Sequence, residues 1–166
     1  AGGTNTSVFQ PSFSPDGRLL AYVSDEDKWG QIYLYDVNLG EHHRITDDRA
    51  EYAKPAWVQG MRTLAWRWDS RVIFALRNSG GCTQLWGYNL DGTGFRPQST
   101  KQFSGFETIA SSPTDDSLAL IASATTIPPC VITLSPSSGA DPQTIFRSRS
   151  TNVIPTSFST ARSVSW

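Results

Sequence analysis

Residues from which catalytic and metal centres are commonly assembled are scarce in this chain: 166 residues hold two histidines, two cysteines and one methionine. His42 and His43 are adjacent, and on an extended strand neighbouring side chains point to opposite faces, so at most one of them can serve a given site. They read as surface residues of a short hairpin after Gly40. Cys82 and Cys130 stand far apart and outside any Cys-x-x-Cys or Cys/His ligand spacing. Both read as small apolar core residues, expected to stay reduced because they fall in different structural units. No metal site and no cofactor is expected.

Long hydrophobic runs and charge of one sign are also missing. No apolar stretch approaches the ~20 residues that span a bilayer, and Ala1-Gly2-Gly3 does not begin a signal peptide. No membrane partner is expected, and the free-looking cysteines point to the cytoplasm. With a net charge of −1 and Lys and Arg scattered along the chain, there is no basic stripe to neutralise a row of phosphates, which excludes nucleic acid. The chain lacks an initiator methionine and is expected to be a mature product or an excised fragment. Asn5-Thr6-Ser7 fits a glycosylation acceptor by composition alone.

What is present is turn chemistry between short apolar segments. Gly 13, Pro 10 and six Trp, among many Ser and Thr, favour strands joined by frequent turns over long helices. Ser14-Pro15-Asp16-Gly17-Arg18 is a turn leading into the β-prone run Leu19–Ser24. The acidic loop Asp25-Glu26-Asp27-Lys28-Trp29-Gly30 follows, then Gln31–Asp36, the turn Asn38-Leu39-Gly40 and a short strand around Arg44-Ile45-Thr46. The order then recurs. Pro55-Ala56-Trp57 opens a second unit as Pro11-Ser12-Phe13 opened the first, Trp68-Asp69-Ser70-Arg71 stands where Pro15-Asp16-Gly17-Arg18 stood, and Val72–Leu76 and Gln84–Tyr88 follow. A third unit runs from Ser112-Pro113-Thr114-Asp115-Asp116 through Leu118–Ala122, Val131–Leu134 and Thr144-Ile145-Phe146, without a glycine in its first turn.

A repeat of ~40–50 residues holding about four short strands is the pattern of a propeller blade. A lone four-stranded sheet cannot cover both its faces, so blades stack face to face and each copy repeats the same inward apolar positions. The expected fold is all-β: a partial β-propeller of about three four-stranded antiparallel blades, near residues 8–49, 50–100 and 101–150, with 151–166 as a linker. A β-sandwich of ten to twelve strands is the alternative, although a sandwich needs no internal repeat.

Ser7-Val8-Phe9-Gln10-Pro11, Ser14-Pro15-Asp16-Gly17 and Val23-Ser24-Asp25 resemble the propeller of prolyl-oligopeptidase-like serine peptidases, in the dipeptidyl aminopeptidase and acylaminoacyl-peptidase branch. Lys54-Pro55-Ala56-Trp57-Val58-Gln59-Gly60-Met61 is similar to that branch's Pro-x-Trp-x-x-Gly blade opening, and Gln84-Leu85-Trp86 to a later strand. The resemblance covers about the first hundred residues. It implies a missing α/β-hydrolase domain, into which Ser163-Val164-Ser165-Trp166 resembles the leading strand. The paired glutamates that hold a substrate's amino terminus in dipeptidyl peptidases have no recognisable counterpart.

The chain has no Gly-x-Ser-x-Gly elbow, the strained turn on which such a hydrolase displays its nucleophile. No catalytic residue is expected. Asp25-Glu26-Asp27 lacks the ligand series and glycine of a calcium loop and reads as solvated. Gly80-Gly81 and Gly92-Thr93-Gly94 are divided by a strand and open no helix, so they serve turns rather than a phosphate cradle. Trp57, Trp66, Trp68 and Trp86 lie in or beside repeat strands and are expected to pack between blades. In a propeller the first strand of each blade lines the central channel, which makes Phe9, Gln10, Tyr52, Lys54, Glu107 and Thr108 the candidate channel-lining residues. They meet either a threaded peptide or only solvent. Two functions compete: a noncatalytic peptidase propeller that gates or orients peptide substrates and docks the hydrolase domain, and an SPDG-repeat binding or scaffold module acting through protein contacts. Either way, bare blade faces at the ends of an open arc predict self-association.

Overall fold

The computed structural model describes residues 1–55, 57, 59–91, 93–95, 100, 102–148, 158, 159 and 164, and among them twelve strands follow one another with no helix between. The first sheet contains β1 (Val8–Phe13), β2 (Leu19–Ser24), β3 (Gln31–Asp36) and β4 (Glu41–Arg44). The second contains β5 (Leu64–Trp66), β6 (Val72–Ser79), β7 (Cys82–Asn89) and β8 (Gly94–Phe95), and the third β9 (Gly105–Ser111), β10 (Leu118–Ala124), β11 (Ile127–Leu134) and β12 (Gln143–Arg147). In every sheet the strands are antiparallel neighbours in chain order. Ala56 and Val58 of the expected blade opening, Gly92, and most of the expected linker and tail lie outside the described residues.

The repeated turn has the same backbone construction in all three sheets. Ser14 N–H donates to Leu19 O, Arg67 N–H to Val72 O and Ser112 N–H to Ser117 O, each at 2.8 Å. Inside each turn a carboxylate accepts the amide two residues on: Asp16 from Arg18 at 3.1 Å, Asp69 from Arg71 at 3.1 Å and Asp115 from Ser117 at 2.8 Å. Gly17 has φ 72° and Ser70, its counterpart, φ 62°, so a serine adopts the left-handed backbone that glycine takes in the first sheet.

This equivalence moves the start of the second unit. Trp66, not Trp57, occupies the position of Phe13 before the turn, and Trp57 is 86% exposed in a connection outside every named strand. The connection is tied to the end of β6 by a bridge between Glu51 and Asn78.

Packing explains the differing apolar patterns of the sheets. The first and second sheets enclose one cluster, with Ala21, Val23, Ile32 and Leu34 on one side and Leu64, Trp66, Ile73 and Ala75 on the other. A second cluster joins Val72, Phe74, Leu76 and Leu85 to Phe106, Leu118, Leu120 and Ile132 of the third sheet. Alternate residues of β6 thus serve different cores, which is why Val72–Leu76 is an unbroken apolar run and is wholly buried. Burying each of its large side chains contributes ~1.5–3 kcal/mol. Neither cluster spans the first and third sheets, so the sheets stack as successive sectors of a propeller rather than as two layers.

The two outer faces have no sheet against them among the described residues. On the first sheet Tyr22 and Tyr33 stack at 5.6 Å, Tyr22 OH shares a hydrogen bond of 2.8 Å with His42 Nδ1, and Leu20, Tyr35 and His42 line a shallow depression. On the third sheet half-buried Ala119, Ile121, Val131 and Thr133 alternate with fully buried neighbours. Both cysteines are free, but only Cys130 is buried; Cys82 opens β7 at an exposed hairpin tip, where Gly80 and Gly81 both have positive φ. The tip has no core to enter. No helix among the described residues is long and apolar enough to cross a membrane.

Candidate functional site

The first strands β1, β5 and β9 are brought together by a short chain of polar contacts. Gln10 sits at an irregularity in the β1–β2 register, where its φ of 50° turns the side chain toward the second sheet. Its Oε1 accepts the Thr63 amide at 2.7 Å, and Thr63 Oγ1 donates to Tyr52 O at 2.7 Å. On the other side Arg62 N–H donates to Thr108 Oγ1 at 3.1 Å and Arg62 O accepts the Ile109 amide at 3.0 Å. The residues five and four places before each turn are therefore Phe9 and Gln10, Arg62 and Thr63, and Glu107 and Thr108.

The six residues expected to line a channel separate accordingly. Gln10 and Thr108 take part in the contacts that join the first strands, and Glu107 beside Thr108 is exposed. Phe9 is half-buried against the core between the first two sheets. Tyr52 is 1% exposed. Its hydroxyl lies 2.5 Å from that of Tyr88 and donates to Asp48 Oδ1 at 3.2 Å, while Asp48 pairs with Arg77 at 2.6 Å. Burial first, and then the Tyr88 hydroxyl, hold the Tyr52 phenol far above its ordinary range, and burial raises Tyr88 as well. Neither is an acid or base near neutral pH. Lys54 is half-buried and its Nζ donates to Phe106 O at 2.9 Å, tying the connection before β5 to the third sheet. Arg62 and Thr63 hold the register positions of the second sheet, and counting back from its turn, Arg67–Ser70, finds them in the sequence.

At the turn end of these strands lies a groove of about 360 Å³. Phe13, Arg62, Trp66, Trp68, Ser111 and Pro113 are among the residues that line it. Trp66 is buried and its indole N–H donates to Ser12 O at 3.0 Å, whereas Phe13 is 62% and Trp68 46% exposed. The expectation that Trp57 and Trp68 pack between blades is thus corrected, because both project from connecting segments beyond the stacked faces. Trp86 does pack as expected, half-buried on Tyr88 with the Arg77 guanidinium 5.4 Å above its ring. Beside the groove the Arg67 guanidinium, which donates to both Asp69 oxygens at 2.6–2.8 Å, holds the Asp69 carboxyl below the usual carboxylate range.

The acidic loop is engaged locally: Asp25 Oδ1 accepts the Ser7 amide at 2.7 Å, and Asp27 accepts the Tyr33 hydroxyl at 3.1 Å and pairs with Arg44. His43 lies 3.7 Å from Glu41 on exposed β4.

No family model matches the chain. A stretch of 48 residues, 28% of the chain, is 42% identical to the uncharacterized peptidase YuxL of Bacillus subtilis and covers 7% of that protein. The structure of a puromycin-hydrolyzing peptidase of Mycobacterium tuberculosis superposes on 93% of the chain with a TM-score of 0.79 at 17% identity. The chain spans 23% of that peptidase. A putative TolB of Agrobacterium tumefaciens matches 87% of the chain and 50% of its own length, with a TM-score of 0.67 at 20% identity. The propeller fold and the resemblance to peptidase propellers are borne out.

Proposed function

We propose that this chain is the noncatalytic propeller portion of a prolyl-oligopeptidase-like serine peptidase, gating or orienting peptide substrates and docking the hydrolase domain. The observation that carries the reading is the superposition of nearly the whole chain on about a quarter of a peptidase chain, with a local stretch of 42% identity to a second peptidase. The sequence adds that no Gly-x-Ser-x-Gly elbow is present, so the hydrolytic step belongs to another part of the parent protein. The wall of β1, β5 and β9 is the surface a peptide meets, and Phe9, Gln10, Glu107 and Thr108 belong to the strands that form it.

The same reading places the protein in the cytoplasm, where the free thiols of Cys82 and Cys130 stay reduced. It also has the isolated chain associate through its open end faces, two copies completing a six-bladed ring. An SPDG-repeat binding module acting through protein contacts is the second reading, favoured by the likeness to the putative TolB.

The sequence encoded downstream of Trp166 separates the two. A Gly-x-Ser-x-Gly elbow within the next few hundred residues supports the peptidase reading; an open frame that ends or continues without one refutes it. Labelling of the chain itself by a fluorophosphonate probe at a single serine would refute the noncatalytic assignment.

A further inference from the structure

The groove at the turn end of β1, β5 and β9 combines two features that the fold does not require. Phe13 and Trp68 expose large aromatic surfaces into it, although neither belongs to the core clusters between sheets. Arg62 is the one charged residue of its lining, and the Arg62 guanidinium has no hydrogen bond or ion pair among the described residues. The backbone of Arg62 is fixed on both sides, by Thr108 Oγ1 and by the Ile109 amide, so the base of this side chain is held in place before any ligand arrives. The nearby turn carboxylates are already occupied: Asp16 by Ser14 and Arg18, Asp69 by Arg67 and Arg71, and Asp115 by Ser117. None of these three is paired with Arg62, and neither is the exposed Glu107 at the matching position of β9.

We propose that this groove is a subsite for the carboxyl-terminal end of a peptide, with an aromatic or prolyl side chain against Phe13, Trp68 and Pro113 and the terminal carboxylate on Arg62. The inference deepens the reading of this wall as peptide-facing and names the part of the peptide that it takes. Its volume falls in the range of small-ligand clefts, enough for one or two residues and not for a folded partner. Aromatic surface supplies contact at low entropy cost, and a guanidinium matches the fork of a carboxylate.

The test titrates the chain with three probes: N-acetyl-Gly-Gly-Phe bearing a free carboxylate, its carboxamide, and N-acetyl-Asp-Gly-Phe carboxamide, followed by calorimetry and tryptophan fluorescence. The free acid is expected to bind saturably and the carboxamide about tenfold more weakly, the usual scale of one charge-assisted contact. Arg62→Gln should bring the acid down to the level of the carboxamide and leave the carboxamide unchanged. Trp68→Leu should weaken both. Arg62 and Trp68 are exposed, so both variants are expected to melt with the parent chain.

Equal binding of acid and carboxamide, absence of saturable binding, or an Arg62→Gln variant that binds the acid normally would overturn the proposal. Binding of the aspartyl carboxamide as tight as the acid would overturn the assignment to a chain end. A downstream elbow without groove binding sinks this proposal and leaves the peptidase reading standing, and groove binding without an elbow does the reverse.

Discussion

Gly17 and Ser70 occupy the same place in two copies of one turn, at φ 72° and 62°, and that equivalence yields a paired stability experiment. A Cβ added at Gly17 meets no heavy atom within 4 Å, so Gly17→Ala carries no clash and its effect is purely conformational. The left-handed region costs a non-glycine residue roughly 1–2 kcal/mol, offset by roughly 0.4–1 kcal/mol from the stiffer unfolded chain. The expected loss is about 1 kcal/mol. At Ser70 the strain is already present, and the hydroxyl is used as well: Asp16 N–H donates to Ser70 Oγ at 3.1 Å, linking the first turn to the second. Ser70→Ala keeps the strain and removes that contact, a loss of ~1 kcal/mol. Ser70→Gly removes the contact but relieves the strain, so it should be more stable than Ser70→Ala by about 1 kcal/mol. Urea denaturation of the parent and the three variants measures these differences. Gly17→Ala as stable as the parent, or Ser70→Gly no more stable than Ser70→Ala, would refute the shared turn geometry.

Tyr52→Phe should destabilise by ~1 kcal/mol, because it leaves the Tyr88 hydroxyl without its buried partner, and thermal melting checks it. Asp69 has a folded pKa below the ordinary 3.8, so its stabilisation is present above that value and lost as pH falls through the folded pKa. Urea midpoints should drop on acidification below about pH 4, and Asp69→Asn should flatten part of that fall; an unchanged profile in the variant would show that Arg67 does not act on the carboxyl in this way. Sedimentation across a concentration range should find self-association at tens of micromolar, and Ile121→Lys on the open face of the third sheet should reduce it without lowering the melting temperature. A compact monomer at those concentrations would refute docking through the end faces.

The order of turns and apolar runs carried the architecture. Ser14–Arg18, Trp68–Arg71 and Ser112–Asp116 mark three hairpins because in each a short carboxylate accepts the amide two residues on, and in the first two Gly17 and Ser70 supply the left-handed backbone. Val72–Leu76 and Leu118–Ala122 are both unbroken apolar runs in the sequence, and only the stacking of the sheets distinguishes them, burying the first on both faces and the second on alternate residues. Tertiary structure alone decided where the second unit begins. Trp57 and Trp66 are equally aromatic, and only the pairing of β5 with β6 puts Trp66 inside and leaves Trp57 outside. The same decision made Arg62 and Thr63, rather than Tyr52 and Lys54, the register equivalents of Phe9 and Gln10, because the register of adjacent first strands depends on contacts between residues some fifty positions apart, such as Gln10 with Thr63. Local chemistry specifies a turn, but a groove shared by three strands exists only once the sheets have stacked.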